Sequence, residues 1–261
     1  MKLTINGATG LVLALVAWCA AAQPAPQVVD VPTRPGVTQR YILIRPPEPK
    51  AAVILFAGGH GGLQVDDSGG MAWGKGNFLV RTAPLFAAEG LAVAVVDAPS
   101  DRQHSPYLAG FRQTPEHAVD IGAVIARLKR DLNVPVWLVG TSRGTQSAAY
   151  VATRPGGAVD GLVLTSSILT DPRSRPVPDL PLEALKIPVL VVHHKDDGCR
   201  HCLYADMPRL MSRLASVPRH ELYTATGGVS TGDPCEARAY HGYNGIEQTV
   251  VSRIASWMQA K

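Results

Sequence analysis

The sequence lacks features that would place it in several large classes of protein. Its longest apolar run, residues 11–22, is too short to span a bilayer. Its formal net charge is only +4 and its basic residues form no block, so neither nucleic acid nor a membrane surface is an indicated partner. Only 18% of the residues are charged and 46% are hydrophobic, which excludes a disordered chain and fits one large globular domain.

The first residues have the parts of a secretory signal peptide. Lys2 precedes the apolar run, which ends in three alanines before a polar, proline-containing stretch. We therefore expect residues 1–22 to be a signal peptide cleaved after Ala22, with no stable membrane insertion afterwards. The protein is then expected to be exported, either to a periplasm or out of the cell.

Two other interpretations of this segment are weaker. A lipid anchor on Cys19 needs a small residue before the cysteine, but Trp18 is bulky. A retained anchor helix needs a longer apolar run than the sequence has.

Cysteine is scarce, with four residues in the chain. Cys19 leaves with the signal peptide, so Cys199, Cys202 and Cys235 remain in a compartment where disulfides persist. Three cysteines predict one bridge and one free thiol.

The rest of the chain alternates between strand and helix patterns. Residues 23–37 contain four prolines, which predicts an extended lead-in without packing of its own before a domain over residues 38–261. Short, continuously apolar runs predict buried strands at residues 52–57, 91–96, 136–139, 162–164 and 189–192. Helical patterns lie between or after them, at residues 78–89, 115–132, 145–153, 204–214 and 246–258.

This alternation predicts an α/β fold with a mostly parallel central sheet and helices on both faces. No internal repeat or second core is evident. Four prolines break residues 168–185 into a loop or a minimal lid.

The pattern Gly-Thr-Ser-Arg-Gly at residues 140–144 is the sharpest local signal. It directly follows a predicted strand and directly precedes a helix of small residues. A tight turn between strand and helix presents a serine hydroxyl above the sheet, and flanking glycines let the backbones approach. We therefore predict that Ser142 is a nucleophile rather than a helix-capping serine.

A serine hydroxyl needs a base, and the base needs an acceptor that orients it. The strand at residues 189–192 leads into two carboxylates, of which Asp197 is the predicted acid and Asp196 the alternative. His241 follows a later glycine-rich loop and is the predicted base. The order Ser142, Asp197, His241 is the chain order of this type of triad in strand-turn-helix hydrolases.

Backbone amides must also face the negative charge that develops on the acyl oxygen. The residue after the nucleophile, Arg143, is predicted to supply one. The glycine-rich run at residues 58–62 follows the first buried strand and is predicted to supply the other, from Gly59 or, as second choice, His60. The run lacks the lysine and hydroxyl pair of a phosphate-binding loop.

A metal or redox site is the main competing interpretation of the acid's loop. The possible ligands His193, His194, Cys199, His201 and Cys202 lie within ten residues, and the two cysteines form a Cys-x-x-Cys pair. No second pair of ligands at a matching spacing completes such a site, so no metal is predicted.

From residue 38 onwards the chain resembles the α/β-hydrolase superfamily, through residues 140–144, 193–199 and 235–247. More narrowly, it is similar to secreted bacterial hydrolases of the dienelactone-hydrolase-like group, in which one cysteine follows the acid and another precedes the base. This resemblance implies a disulfide between Cys199 and Cys235, which leaves Cys202 free. The sequence departs from many relatives at residues 57–58, where Ala-Gly replaces His-Gly.

The resemblance also implies hydrolysis of a small-molecule ester through an acyl-enzyme on Ser142, without metal or organic cofactor. An acyltransferase or peptidase using the same three residues is the alternative within enzymes, since water, an alcohol or an amine can each accept an acyl group. A noncatalytic binding protein on the same scaffold is the alternative outside enzymes, and it would not need all three residues. Residues 99–114 are expected near the mouth of the site as either substrate contacts or an ordinary loop.

Overall fold

An eight-stranded sheet runs through the centre of the protein. The computed structural model describes residues 25–154 and 159–260. The strands are β1 (Gln27–Arg34), β2 (Val37–Ile44), β3 (Ala51–Phe56), β4 (Leu91–Val96), β5 (Val136–Thr141), β6 (Gly161–Thr165), β7 (Val189–His194) and β8 (His220–Ala225). They are arranged in the order β1-β2-β4-β3-β5-β6-β7-β8, in which β1, β2 and β4 pair antiparallel and all other neighbours pair parallel. The predicted mostly parallel sheet is confirmed.

Helices cover both faces of this sheet, as predicted. They are α1 (Phe78–Ala88), α2 (Pro115–Leu132), α3 (Gly144–Ala152), α4 (Met207–Arg213) and α5 (Glu247–Gln259). The apolar faces of α2, α3 and α4 belong to one core cluster, and those of α1 and α5 belong to a second cluster on the opposite face. β3 contributes alternate residues to the two clusters, since successive side chains of a strand point to opposite faces.

The prediction of an unpacked lead-in over residues 23–37 is wrong. Residues 27–34 form β1, which pairs with β2 at the edge of the sheet. Proline misled the interpretation, because Pro32 lies in an edge strand where a missing N–H is tolerated, and the register shifts between Pro32 and Arg34. The folded domain therefore begins before residue 38.

Two other sequence predictions concern the N-terminal residues and the proline-containing segment before β7. The predicted signal peptide, residues 1–22, lies outside the described residues. Residues 168–185 form no large lid: Val177, Leu180 and Leu182 are fully buried in the core beside α3 and α4.

Over residues 25–154 and 159–260, no helix has both the length and the apolar character needed to cross a membrane.

A buried carboxylate fixes the chain where β4 ends. Asp97 is almost fully buried, and its Oδ1 accepts the backbone N–H groups of Leu63, Gln64 and Ala98 at 2.6, 3.1 and 2.7 Å. Its Oδ2 accepts the N–H of Val65 at 2.9 Å. A carboxylate bound by several N–H groups is satisfied without a cation. This contact holds the segment that follows the glycine-rich turn against the end of β4.

The imidazole of His117 is buried under β3 without a polar partner. It lies in the first turn of α2 between the rings of Phe56 and Phe111, with ring centroids 6.3 and 5.6 Å away. Neither ring nitrogen has a hydrogen-bond partner among the described residues. Burial, aided by the nearby charges of Arg112 and Arg34, lowers the pKa of His117 to about 3.

We expect the cost of this buried histidine to grow as the pH falls. The folded pKa lies below the unfolded value near 6.5, so the unfolded chain takes up the proton first and stability falls below that pH. The difference in free energy of unfolding between His117→Leu and wild type should therefore be more favourable to the variant by about 2 kcal/mol at pH 5 than at pH 7. Urea unfolding measures this difference, with His220→Leu as an exposed control. A difference between His117→Leu and wild type that does not change with pH would contradict the assignment.

Candidate active site

The turn between β5 and α3 presents Ser142 at the carboxyl edge of the sheet. Ser142 has a φ of 51°, in the left-handed region that residues with side chains rarely adopt. Its N–H donates to the carbonyl oxygen of Thr165 at the end of β6, at 3.1 Å. A Cβ on Gly140 would lie 2.5 Å from the carbonyl oxygen of Gly144, so the two glycines of the motif allow the turn to close.

Asp197 and His241 meet across 44 residues of sequence. The Nδ1 of His241 lies 2.9 Å from Oδ2 of Asp197, and both side chains are buried. The carboxylate therefore accepts a hydrogen bond from Nδ1–H, which leaves Nε2 as the basic nitrogen of the neutral ring. Asp196, the alternative acid, is exposed to solvent.

Several contacts fix the loops that carry this pair. The second oxygen of Asp197, Oδ1, accepts the N–H of Cys199 at 2.9 Å. The hydroxyl of Ser166 donates to the carbonyl oxygen of His241 at 2.7 Å, and the hydroxyl of Tyr243 donates to the carbonyl oxygen of Val192 at 2.8 Å. These bonds hold the histidine backbone against the ends of β6 and β7.

A disulfide joins the loops that carry Asp197 and His241. Cys199 is bonded to Cys235, as the sequence predicted, and the bond closes a span of 36 residues. Cys199 lies two residues after Asp197, and Cys235 lies six residues before His241. Cys202 is the free cysteine of the described residues, and it is buried.

The glycine-rich turn after β3 lies directly against the serine. A Cβ on Gly58 would lie 2.9 Å from the Cβ of Ser142, which is closer than side chains allow. Gly59 has a φ of 57°, and the ring of Trp73 packs where its Cβ would be, at 2.6 Å. The imidazole of His60 stacks between Trp73 and Tyr107, with centroids 3.8 and 4.3 Å away.

The predicted amide donors, Arg143 and Gly59, lie at this same edge. Arg143 immediately precedes α3, where the first N–H groups have no carbonyl partner within the helix. Among the described residues, neither the N–H of Arg143 nor that of Gly59 donates to another backbone carbonyl. The Arg143 side chain points to an ion pair with Asp171 at 2.6 Å, so only its backbone is free to serve the site.

Two cavities open on either side of Gly59. The first has a volume of about 220 Å³, and its lining includes Ser142, His241, Gly59 and Trp73. The second has a volume of about 550 Å³ and is lined in part by Gly59, Arg112 and Arg143. The serine and the histidine thus face one space, into which the glycine-rich turn also opens.

Comparison with other proteins identifies the fold of this chain but no close relative. No protein-family model and no curated protein sequence matches this chain. A Pyrococcus furiosus esterase matches in structure with a TM-score of 0.64 at 14% identity, over 90% of this chain and 90% of that one. Dienelactone hydrolase from Anabaena variabilis matches with a TM-score of 0.63 at 15% identity, over 90% of this chain and 97% of that one.

The chain has the α/β-hydrolase fold. Porphyromonas gingivalis dipeptidyl peptidase 4 is also similar, with a TM-score of 0.63 at 13% identity, over 90% of this chain and 35% of that one. An esterase, a dienelactone hydrolase and a peptidase therefore share this α/β-hydrolase architecture, so the fold by itself selects no substrate.

Within this α/β-hydrolase fold, the three histidines among the possible metal ligands of residues 193–202 make other contacts. His193 Nε2 lies 2.6 Å from the carbonyl oxygen of Cys202, and His194 Nε2 lies 2.9 Å from that of Gly227. His201 Nδ1 lies 3.0 Å from the carbonyl oxygen of Thr170. Cys199, Cys202 and His241 do place ligand atoms within 4.8 Å of one another, but the Cys199 sulfur is bonded to Cys235. A disulfide sulfur is not the thiolate that metals bind.

Three side chains that shape the candidate site were not singled out from the sequence, although residues 99–114, which include Arg112, were expected near its mouth. Trp73 lines the smaller cavity, Asp97 anchors the segment after the glycine-rich turn, and Arg112 reaches beneath that turn. Asp97 had a usable signal, since an acid directly follows an apolar strand. Trp73 had no such signal, and Arg112 had none beyond its place in residues 99–114, because only tertiary packing brings these two side chains to the glycine-rich turn.

We expect the close packing of the nucleophile turn to be sensitive to one methyl group. A Cβ on Gly144 would lie 2.0 Å from the carbonyl oxygen of Phe56, and neither backbone can move without displacing β3 or α3. Gly144→Ala should lower the free energy of unfolding by about 3 kcal/mol. Gly122→Ala in the middle of α2 is the control, because its Cβ meets open space and should be neutral or stabilising. Equal urea midpoints for the two variants would contradict this packing.

Proposed function

We propose that this protein is a serine hydrolase that cleaves carboxylic esters through an acyl-enzyme on Ser142. The observation that carries the proposal is the buried contact of His241 Nδ1 with Asp197 Oδ2, because it leaves the opposite nitrogen of the ring as a base. That nitrogen, Nε2, is buried and has no hydrogen-bond partner among the described residues. His241 lines the same cavity as Ser142.

The arrangement supports the usual two-stage transfer of an acyl group. In the first stage, His241 Nε2 removes the proton of the Ser142 hydroxyl as Oγ bonds to the ester carbonyl carbon. The tetrahedral intermediate then collapses, the bond to the alcohol oxygen breaks, and His241 returns the proton to the leaving alcohol. Asp197 stabilises the imidazolium that exists between these two proton transfers.

Water completes the cycle in the second stage. His241 removes a proton from water as its oxygen attacks the acyl carbon, and the proton then passes to Ser142 Oγ as the acid is released. In both stages the negative charge lies on the former carbonyl oxygen. The N–H groups of Arg143 and Gly59 are our assignment for its hydrogen-bond donors, with His60 as the second choice on the glycine-rich turn.

The size of the smaller cavity favours a small substrate group beside the serine. Its volume of about 220 Å³ is below the range of pockets that hold drug-sized ligands. Trp73 and Phe78 contribute apolar surface to it. We therefore infer a short acyl chain or a small alcohol on this side of the scissile bond.

The disulfide supports an exported location for the enzyme. Disulfides persist in oxidising compartments and are rare in the cytosol. The Cys199–Cys235 bond joins the acid and base loops, so export would keep the site in its working geometry. This agrees with the signal peptide that the first 22 residues predict.

Hydrolysis of p-nitrophenyl acetate and butyrate by the purified protein tests the proposal. Ser142→Ala, His241→Ala and Asp197→Asn should each lower kcat/KM by about 10³-fold or more, because each removes one member of the proton-transfer unit. Asp196→Asn is the matched control: it makes the same chemical change one residue away, on an exposed side chain, and should keep wild-type activity.

Three outcomes would contradict the proposal. Turnover that survives Ser142→Ala would place the chemistry elsewhere. A wild-type protein that neither turns over any ester nor reacts with a serine-directed phosphonate would favour a noncatalytic binding protein on this fold. Faster acyl transfer to an added alcohol or amine than to water would identify an acyltransferase using the same three residues.

A further inference from the structure

A buried arginine ties the glycine-rich turn to the helix that follows the serine. Arg112 lies in the loop between β4 and α2 and is 5% exposed. Its Nη2 donates to the carbonyl oxygens of Ala57 and Gly59 at 3.0 and 3.2 Å. Its Nη1 donates to the hydroxyl of Ser147 in α3 at 3.0 Å. One guanidinium thus bridges the two segments that carry the assigned amide donors.

No acid of the described residues pairs with this cation. Among the described residues, no carboxylate oxygen lies within 4 Å of the Arg112 guanidinium, whereas Arg34 and Arg40 each pair with aspartates. Burial and the charge of Arg143 lower the pKa of Arg112 to about 9, which leaves it charged at neutral pH. A buried charge without an opposite partner is costly, so a stabilising ion pair does not account for this residue.

The geometry of the peptide bond shows what the contacts of Arg112 do. In a trans peptide the C=O and the N–H point in opposite directions. By holding the carbonyls of Ala57 and Gly59 toward the interior, Arg112 directs the N–H groups of Gly58 and His60 away from itself. The peptide between Gly58 and Gly59, which carries the N–H of Gly59, lies between these two restrained peptides.

Such a restraint is needed because the turn is built from glycines. Gly58 and Gly59 have no side chains to limit their backbone angles, and a free glycine pair would sample many orientations of its N–H groups. A donor to a developing oxyanion must be oriented before the reaction, since a loosely held donor loses its advantage over water. Packing of Trp73 on Gly59 limits one side of the turn, and Arg112 limits the other.

We infer that Arg112 is a positioning residue for the oxyanion site: its guanidinium fixes the 57–58 and 59–60 peptide planes, which flank the N–H of Gly59, relative to α3. The inference rests on the proposed hydrolase function. Arg112 acts through the backbone and takes no part in the proton transfers. Its loss should therefore weaken binding of the tetrahedral state more than binding of the substrate.

The test compares three variants with a control from the same loop. Arg112→Met removes all three contacts at similar length, Arg112→Lys keeps a charge but cannot span three acceptors, and Ser147→Ala removes one contact only. Arg102→Met makes the same change at an exposed arginine that touches Phe111 and not the turn. The measurements are kcat and KM on p-nitrophenyl acetate, and the inhibition constant of phenylboronic acid, which forms a tetrahedral adduct with an active serine.

We expect kcat to fall about 100-fold in Arg112→Met and nearly as far in Arg112→Lys, with KM changed less than about threefold. Phenylboronic acid should bind more weakly by a similar factor. Ser147→Ala should show a smaller loss of both kcat and boronic acid affinity. Urea unfolding at the assay temperature corrects for any unfolded fraction. If Arg112→Met does not fold, Arg112→Lys and Ser147→Ala carry the test.

Three results would overturn the inference. Full activity in Arg112→Lys would show that the positive charge at position 112, and not the three-way hydrogen bonding of the guanidinium, supports catalysis. A rise in KM with kcat and boronic acid affinity unchanged would make Arg112 a substrate contact. Wild-type kcat in Ser147→Ala and in every folded Arg112 variant would leave Arg112 a structural cation. If the wild-type protein has no esterase activity, the proposed function is wrong and this inference fails with it. That outcome is distinguishable from a loss of activity that occurs only in the variants.

Discussion

The close approach of β3 to the start of α3 determines the geometry of the whole site. Gly144 lies so near the carbonyl of Phe56 that no side chain fits between them, and a Cβ on Gly58 would lie only 2.9 Å from the Cβ of Ser142. The serine turn and the glycine-rich turn are thereby held at contact distance. Because adjacent parallel strands end at the same edge, both turns open onto the cavity that His241 also lines.

Longer connections supply the remaining groups and are fixed by bonds rather than by strand pairing. The acid and base loops follow β7 and β8, and a disulfide together with the Asp197–His241 contact joins them. On the other side of the serine, Asp97 anchors the segment after the glycine-rich turn, and Arg112 binds the turn from beneath. Loops carrying functional groups at the edge of a rigid sheet are typical of enzymes, since the scaffold provides the precision.

Much of this architecture could be predicted from local sequence, because the signals are strong and local. Continuous valine- and leucine-rich runs predicted the central strands, and the Gly-x-Ser-x-Gly turn between a strand and a helix predicted the position of Ser142. The edge strand β1 was missed because Pro32 reads as a breaker, although an edge position tolerates it. The sequence predicted Asp197 as the acid and kept Asp196 as the alternative, and the structure adds that Asp197 is buried in contact with His241 while Asp196 is exposed.

Arg112 marks the limit of such reasoning. Nothing in its neighbouring residues distinguishes it from an ordinary loop arginine, and its contacts come from Ala57, Gly59 and Ser147, each more than 30 residues away. The environment of His117 is likewise not evident from its neighbours in sequence. It lies on the amphipathic α2, but its low pKa comes from burial against Phe56 and Phe111. The burial and charge environment of a side chain are properties of the fold, and no local sequence pattern predicts them.

The central claim is that Ser142 carries the acyl group, and trapping that intermediate tests it most directly. The purified protein would be mixed with p-nitrophenyl acetate, quenched in acid within its first turnovers, digested, and its peptides analysed by mass spectrometry. The account predicts an acetyl group on Ser142 that decays when quenching is delayed until the substrate is exhausted. An acetyl group found only on another residue, or p-nitrophenol released without any acetylated peptide when deacylation is slowed by His241→Ala, would contradict it.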